Sequence, residues 1–212
     1  MTSPTIVIVP GWRNSGPGHW QSLWADTLPN AVRVEQDDWV SPLKRAWVDR
    51  VSETIESTTG PVIVVAHSLG CIATVHLPAH VAARISGALL VAPADAERRP
   101  ALADFAPIPR QRLPYPSTVV ASSNDPYCPL PTSRGFAQAW GSDAVCLVDA
   151  GHINVDSGHG HWPAGLQLLA RLTRRALAGA AQPAARPTPP QSIYSYRIKT
   201  KKQIRLIHKA AL

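Results

Sequence analysis

A short run of β-branched residues ends just before Ser68, and this junction constrains the fold more than any other part of the chain. Residues 62–65 read Val-Ile-Val-Val, which is typical of a strand buried on both faces, and a helical pattern follows Ser68. The residues two positions before and after so sharp a turn must be small, and Ala66 and Gly70 meet this requirement. The sequence therefore predicts a serine hydroxyl exposed at a strand–turn–helix apex.

The residues around Ser68 also favour a role for its hydroxyl as a nucleophile. Residues 66–70 read Ala-His-Ser-Leu-Gly, one methyl group away from the Gly-x-Ser-x-Gly pattern of a nucleophile elbow. The backbone N–H of Leu69 opens the helix, where it would donate to an oxyanion, and the positive end of the helix dipole points at the same place. A plain strand–loop–helix connection is the alternative interpretation of these residues.

Strand patterns alternate with helix patterns along the chain, which predicts an α/β fold with a doubly wound, mainly parallel sheet flanked by helices. The active site of such a sheet lies at the carboxyl ends of its strands. Ser68, Asp125 and His152 each follow a predicted strand, in the chain order of a nucleophile, an orienting acid and a base. We therefore expect these three residues to form a catalytic triad.

Other acidic residues compete with Asp125 for the role of the orienting acid. Asp95 and Asp149 also lie at predicted strand ends, but Asp149 is only three residues from His152 and is expected to stay on the same strand. The adjacent Asp37 and Asp38 are typical of a solvated turn. Asp125 is therefore the preferred acid.

The loop at residues 10–18, after the first predicted strand, is rich in glycine. It lacks the spacing of a dinucleotide-binding loop and the Gly-Lys-Ser/Thr ending of a phosphate-binding loop. In a fold organised around Ser68 this loop lies beside the serine, so the backbone N–H of Trp12 is expected to be the second oxyanion donor.

Three histidines near the end of the domain raise the alternative of a metal site. His152, His159 and His161 lie close in sequence to Asp156, but they lack the helical His-x-x-x-His spacing and are separated by glycines. We therefore expect neither a metal ion nor an organic cofactor.

Composition places limits on the rest of the chain. Its 212 residues, 45% of them apolar, suffice for one domain, and no apolar run reaches the length of a membrane span. The N-terminus shows no secretory pattern, so a cytoplasmic protein without a membrane partner is expected. The scattered Cys71, Cys128 and Cys146 do not suggest a disulfide framework and are expected to be reduced.

The formal charge of +7 comes almost entirely from the C-terminal tail. Residues 191–212 hold six of the 21 Lys and Arg residues and no acidic residue. Residues 183–190 contain four prolines, which favours an extended linker. We therefore expect a domain over residues 1–181 and a disordered linker and basic tail over 182–212, with no specific nucleic-acid partner; weak binding to an anionic surface is the alternative for the tail.

Two further expectations concern elements around the site. Ser41 followed by Pro42 predicts the cap and first residue of a helix that runs to about Thr58. Residues 94–116 contain five prolines and few apolar runs, which predicts an irregular surface loop too short for a separate lid domain.

Several of these motifs together resemble the small lidless α/β-hydrolases related to retinoblastoma-binding protein 9, in particular their bacterial branch. The motifs that carry the resemblance are residues 66–70, 124–126, 151–154 and 158–163, with the early segments 10–12 and 19–20 and the Asp38-Trp39, Pro42 and Trp47 positions. The resemblance covers about residues 5–180. It implies a serine hydrolase with Ser68, Asp125 and His152 as its triad.

The expected chemistry is acyl transfer from a small ester, thioester or amide to water, with a small-molecule acyl substrate as the expected ligand. Trp39, Tyr127 and His159 are candidates for the substrate pocket. The alternative is a non-catalytic protein-binding module built on the same fold, because a fold does not by itself establish a function. A protein partner cannot be inferred from the sequence.

Overall fold

The computed structural model describes residues 3–180, 194–199 and 203–207, and the core of the fold is an open parallel sheet. Six parallel strands lie in the order β2-β1-β3-β4-β5-β6. Their bounds are β1 Thr5–Val9, β2 Ala31–Arg33, β3 Val62–His67, β4 Ile85–Val91, β5 Ser117–Ser122 and β6 Asp143–Val148. The chain winds outward in both directions from β1 and β3, which confirms the predicted doubly wound α/β fold.

Helices cover both faces of the sheet. They are α1 Trp20–Thr27, α2 Lys44–Glu56, α3 Leu69–Val75, the one-turn α4 Ala79–Ala82, α5 Leu130–Trp140 and α6 Pro163–Ala180. Alternate residues of a strand point to opposite faces. Val7 and Val64 therefore belong to the apolar cluster that includes Trp47 of α2, whereas Ile8 and Val65 belong to the cluster on the opposite face. Each face of the sheet is thus closed by its own apolar layer.

Helix α2 begins later than the sequence predicts. It starts at Lys44 rather than after a Ser41 cap, and the side chain of its N-cap residue makes no capping hydrogen bond. Asp38 Oδ1 accepts the backbone N–H groups of Val40 and Ser41 at 2.7 and 2.8 Å, which keeps those residues in a turn. The N–H of Lys44 donates instead to Asp104 Oδ2 at 2.6 Å. The cap therefore comes from a residue 60 positions away.

The segment between β4 and β5 is more ordered and more buried than predicted. It contains two short 3₁₀ helices, Ala96–Arg98 and Pro100–Phe105. Phe105 is fully buried, and its ring packs edge-on against Trp47 with centroids 6.2 Å apart. The segment therefore forms part of the core beside α2 rather than an irregular surface loop.

Beyond α6 the structure describes two further strands, β7 Tyr194–Lys199 and β8 Gln203–Ile207. Strand β7 pairs parallel to β6, and β8 pairs antiparallel to β7. These segments differ from the expected tail outside the fold. In the sequence, residues 194–198 alternate apolar or aromatic with polar, a period that suits a strand. The proline-rich linker at 183–190 lies outside the described residues.

In the described part of the chain, no helix is long and apolar enough to cross a membrane.

Candidate active site

Ser68 lies at the sharp turn between β3 and α3. Its backbone has φ 53° and ψ −121°, a conformation that residues other than glycine rarely adopt. The residue is only 8% exposed. Ala66, two residues earlier, is completely buried within the sheet, so alanine is accommodated where glycine is the more usual residue. The strand, turn and helix predicted around Ser68 are therefore present.

Two glycines allow the loop after β1 to press against this turn. A Cβ atom on Gly70 would lie 2.4 Å from the carbonyl oxygen of Val9 and 2.5 Å from that of Pro10. A Cβ atom on Gly11 would lie 2.8 Å from the Ser68 Cβ. All three distances are too short for real atoms, so glycine is required at both positions and the early loop lies directly against the serine.

Gln21 holds the same loop from the other side. Its side-chain amide donates to the carbonyl oxygens of Val9 at 3.0 Å and Val65 at 3.1 Å, which joins the carboxyl ends of β1 and β3. Its Oε1 accepts a hydrogen bond from Ser15 Oγ at 2.7 Å. Gln21 is completely buried, so these bonds are shielded from water. The sequence reasoning missed this residue because nothing in the local pattern marks it.

His152 joins the serine to an acid. Its Nε2 lies 2.9 Å from Ser68 Oγ, and its Nδ1 lies 2.9 and 3.0 Å from the two carboxylate oxygens of Asp125. The side chains of His152 and Asp125 are 8% and 2% exposed. A carboxylate bonded to Nδ1–H leaves Nε2 free to accept a proton. The structure thus brings together the three residues that the sequence predicts as a triad.

Asn124 and Ser122 tie the loop that carries His152 to the end of β5. Asn124 Oδ1 accepts the backbone N–H of Gly151 at 2.7 Å and the hydroxyl of Ser122 at 2.8 Å. The Ser122 oxygen in turn accepts the N–H of Ala150 at 3.1 Å. These bonds hold the His152 loop close to Asp125. In the sequence, the only signal for the role of Ser122 and Asn124 is that they lie just before Asp125.

The rival acids are occupied elsewhere. Asp149 Oδ1 accepts a hydrogen bond from Ser123 Oγ at 3.2 Å. Hydrogen bonds from two backbone amides of its own turn lower the pKa of Asp38. Asp95 is 3% exposed, and burial raises the pKa of its carboxyl group. Among the hydrogen bonds of the described residues, only the Asp125 carboxylate reaches His152.

The two predicted oxyanion donors border Ser68. Leu69 is the first residue of α3, and Trp12 follows Gly11, which touches Ser68. Trp12 is held in place by its indole N–H, which donates to the Val40 carbonyl at 2.8 Å. Within residues 3–180, neither the Trp12 nor the Leu69 backbone N–H has a hydrogen-bond acceptor in the protein. Both amides are therefore available to a ligand.

The three predicted pocket residues lie in different surroundings. Tyr127 is 37% exposed, and its ring centroid lies 4.3 Å from that of His152, so it borders the site. Trp39 is partly buried and packs edge-on against Trp47. His159 is 6% exposed, packs edge-on against Trp162, and has its pKa lowered chiefly by burial. The structure thus places His159 in the protein interior.

Within the described ranges, no group of three His, Cys, Asp or Glu side chains is arranged to hold a metal ion. Cys71, Cys128 and Cys146 are buried and unpaired by disulfides.

Comparison with known families identifies the chain. The model of the family described as serine hydrolase matches residues 6–171, a span that includes Ser68, Asp125 and His152. The chain belongs to the serine hydrolase family. This serine hydrolase is also similar to a solved YdeN-like hydrolase from Pectobacterium atrosepticum, with 35% identity and a TM-score of 0.76 over 82% of this chain and 92% of the other.

Other solved structures share the fold at lower identity. The ydeN gene product of B. subtilis is 22% identical, with a TM-score of 0.67 over 81% of this chain and 100% of the other. The type II thioesterase BorB is 15% identical, with a TM-score of 0.55 over 82% of this chain and 94% of the other. No curated protein matches the chain. The protein is thus a small α/β-hydrolase without a separate lid domain between β4 and β5.

Proposed function

We propose that this hydrolase cleaves small esters, thioesters or amides through an acyl-enzyme formed on Ser68. The proposal rests on the two hydrogen bonds of the His152 imidazole. Its Nε2 lies 2.9 Å from Ser68 Oγ, and its Nδ1 lies 2.9 Å from Asp125 Oδ1. An imidazole held in this way can take the serine proton while the carboxylate stabilises the resulting charge.

The first half of the reaction acylates the serine. His152 Nε2 removes the Ser68 hydroxyl proton as Oγ bonds to the substrate carbonyl carbon. The backbone N–H groups of Trp12 and Leu69 donate to the oxyanion that develops, and the dipole of α3 adds to this stabilisation only modestly because the helix has seven residues. The bond to the leaving group then breaks, and the leaving group takes the proton from His152.

The second half returns the enzyme to its starting state. Water gives a proton to His152 and attacks the acyl carbon, and the bond from that carbon to Ser68 Oγ breaks as His152 returns the proton to the serine. The Asp125 carboxylate orients the His152 imidazole throughout and takes no proton from it. All of these steps use side chains and amides of the chain itself.

The site suits small substrates. The only helices in the segment between β4 and β5 are two short 3₁₀ helices, so no folded lid encloses a long acyl chain there. Tyr127 borders the triad, whereas the Trp39 ring packs against Trp47 of α2, so we assign Tyr127 as the pocket residue that touches the substrate. A cytoplasmic location remains a prediction of the sequence.

Labelling with a fluorophosphonate probe tests the proposal, followed by turnover of a panel of p-nitrophenyl esters and aminoacyl amides. We expect the parent protein to be labelled, and Ser68→Ala to lose labelling and to lose turnover by several orders of magnitude with an unchanged melting temperature. A folded parent that is neither labelled nor active on the panel would overturn the proposal and return the protein to the alternative of a binding module.

A further inference from the structure

A cation lies beside the triad with one aromatic ring between them. The Tyr127 ring packs against His152 with centroids 4.3 Å apart. The Arg99 guanidinium carbon lies 4.2 Å from the centroid of the same Tyr127 ring. Tyr127 is 37% exposed, so both Arg99 and the ring are at the accessible border of the site. Any group that extends past Tyr127 from a substrate bound at Ser68 comes within reach of Arg99.

The Arg99 side chain is held in place but retains free donors. Its Nη2 donates to the carbonyl oxygen of Pro126 at 3.0 Å, and the ring of Tyr127 supports its plane. One guanidinium group has five N–H donors, so most of them remain available. Because the side chain is already ordered, binding a ligand costs little further side-chain entropy.

No carboxylate neutralises this cation. Among the ion pairs of the described residues, none includes Arg99. The neighbouring acids have other partners or are buried: Glu97 pairs with Arg110 at 3.1 Å, and Asp125, next to Pro126, faces His152. Asp95 is buried and forms no ion pair among the described residues. Arg99 therefore carries an unpaired positive charge beside the site.

A further cation lies on the loop after β1. Arg13 follows the proposed oxyanion donor Trp12, is exposed, and has its guanidinium carbon 4.7 Å from the Trp12 ring. It too takes part in no ion pair among the described residues. Two cations on loops that border the site favour anionic ligands.

We propose that Arg99 binds an anionic group of the substrate, so that the preferred substrates are small esters or thioesters that carry a carboxylate or a phosphate. This inference rests on the proposed function, because it concerns the substrate of the same site. The planar guanidinium group forms paired hydrogen bonds with carboxylate and phosphate oxygens, and such charged hydrogen bonds are stronger than neutral ones. Arg99 would then determine specificity without taking part in the chemical steps.

Two pairs of esters matched except for charge test the inference. Mono-4-nitrophenyl glutarate and 4-nitrophenyl valerate differ at the far end of the acyl group, and 3-acetoxybenzoate and methyl 3-acetoxybenzoate differ on the leaving group. In the parent protein, kcat/KM should be higher for the anionic ester in at least one pair. In Arg99→Met, kcat/KM for the anionic ester should fall about tenfold, whereas kcat/KM for the neutral ester should be nearly unchanged.

Variants of the same segment are the controls. Arg99→Lys keeps the charge and should retain part of the preference, and Arg98→Met removes an exposed neighbouring cation and should leave the preference unchanged. Equal losses on neutral and anionic esters in Arg99→Met would show that Arg99 only braces Tyr127 and Pro126, and would overturn the inference. A parent without charge preference would also overturn it, whereas a parent inactive on every ester would contradict the proposed function itself.

Discussion

The imidazole of His67 donates its Nε2–H to the backbone carbonyl oxygen of His152 at 2.9 Å. A carbonyl oxygen can only accept, so this bond assigns the proton of His67 to Nε2. Burial is the main cause that lowers the pKa of His67 well below its usual value, so the ring is uncharged at neutral pH. The residue before Ser68 thus holds His152, the proposed base.

We expect His67→Phe to lower kcat about tenfold with little change in KM, because it fills the same space but frees the backbone of His152. Steady-state kinetics on a neutral p-nitrophenyl ester measure this split. His67→Gln is the matched control, since its amide nitrogen can replace Nε2 as the donor, and it should recover most of the activity. Equal kcat values for the Phe and Gln variants would show that the bond does not position His152.

The assignment of Asp125 predicts a clear difference among the acids. Asp125→Asn should lower kcat by about 10³ to 10⁴-fold, because the neutral amide neither fixes the His152 tautomer nor stabilises its charge. Asp149→Asn and Asp38→Asn should each change kcat less than about threefold, since their carboxylates bond to Ser123 and to a local turn. A larger loss in either of these two variants than in Asp125→Asn would assign the third member of the triad elsewhere.

The contact between Gly70 and β1 predicts a large effect from one methyl group. In Gly70→Ala the new Cβ would lie 2.4 Å from the Val9 carbonyl oxygen, so the backbone must shift, at a cost of about 1 to 3 kcal/mol in unfolding free energy. Urea denaturation measures the change. Gly16→Ala is the control, because a Cβ there meets nothing within 4 Å and the substitution should leave stability within about 0.5 kcal/mol.

Buried neutral histidines predict a loss of stability in mild acid. Burial is the main cause that lowers the pKa of His19 to about 4, so between this value and 6.5 the unfolded chain binds more protons than the folded one. Stability is therefore complete above about pH 6.5 and falls as the pH is lowered. His19 alone should reduce the unfolding free energy by about 2 kcal/mol between pH 7 and pH 5, and His67 adds to this loss.

Urea denaturation at pH 7 and pH 5 tests this pH dependence in the parent and two variants. His19→Gln should be less stable at pH 7 but should show a smaller difference between the two pH values. The exposed His80 is the control, and His80→Gln should keep the parent's difference. An unchanged pH dependence in His19→Gln would contradict the assignment of a buried, neutral His19.

Removal of the chain after Ala180 deletes β7 and β8 and tests whether they reach the site. We expect kcat/KM to stay within about twofold of the full chain, because the hydrogen bonds of the described residues that orient Ser68, Asp125 and His152 come from residues before β7. The melting temperature of the same variant reports on the pairing of β6 with β7. A fall of tenfold or more in kcat/KM would show that the tail contributes to the site.

The local sequence was sufficient to predict the elbow, the doubly wound, mainly parallel sheet and the three residues that meet at its edge. A β-branched run, small residues around Ser68 and turns after β5 and β6 are short-range signals, and the carboxyl ends of parallel strands meet at one edge whatever the details of packing. The alternation in residues 194–198 is likewise a strand signal, although the surrounding cations favour a solvated tail.

The tertiary structure alone decided how the site is held. Asp104 reaches across 60 residues to cap α2, Gln21 joins the ends of β1 and β3, and His67 bonds to a carbonyl 85 residues away. Each of these bonds satisfies a backbone group that another part of the chain leaves without a partner on burial. The packing of helices and loops determines which backbone groups lack a hydrogen-bond partner. A local sequence pattern does not determine that packing.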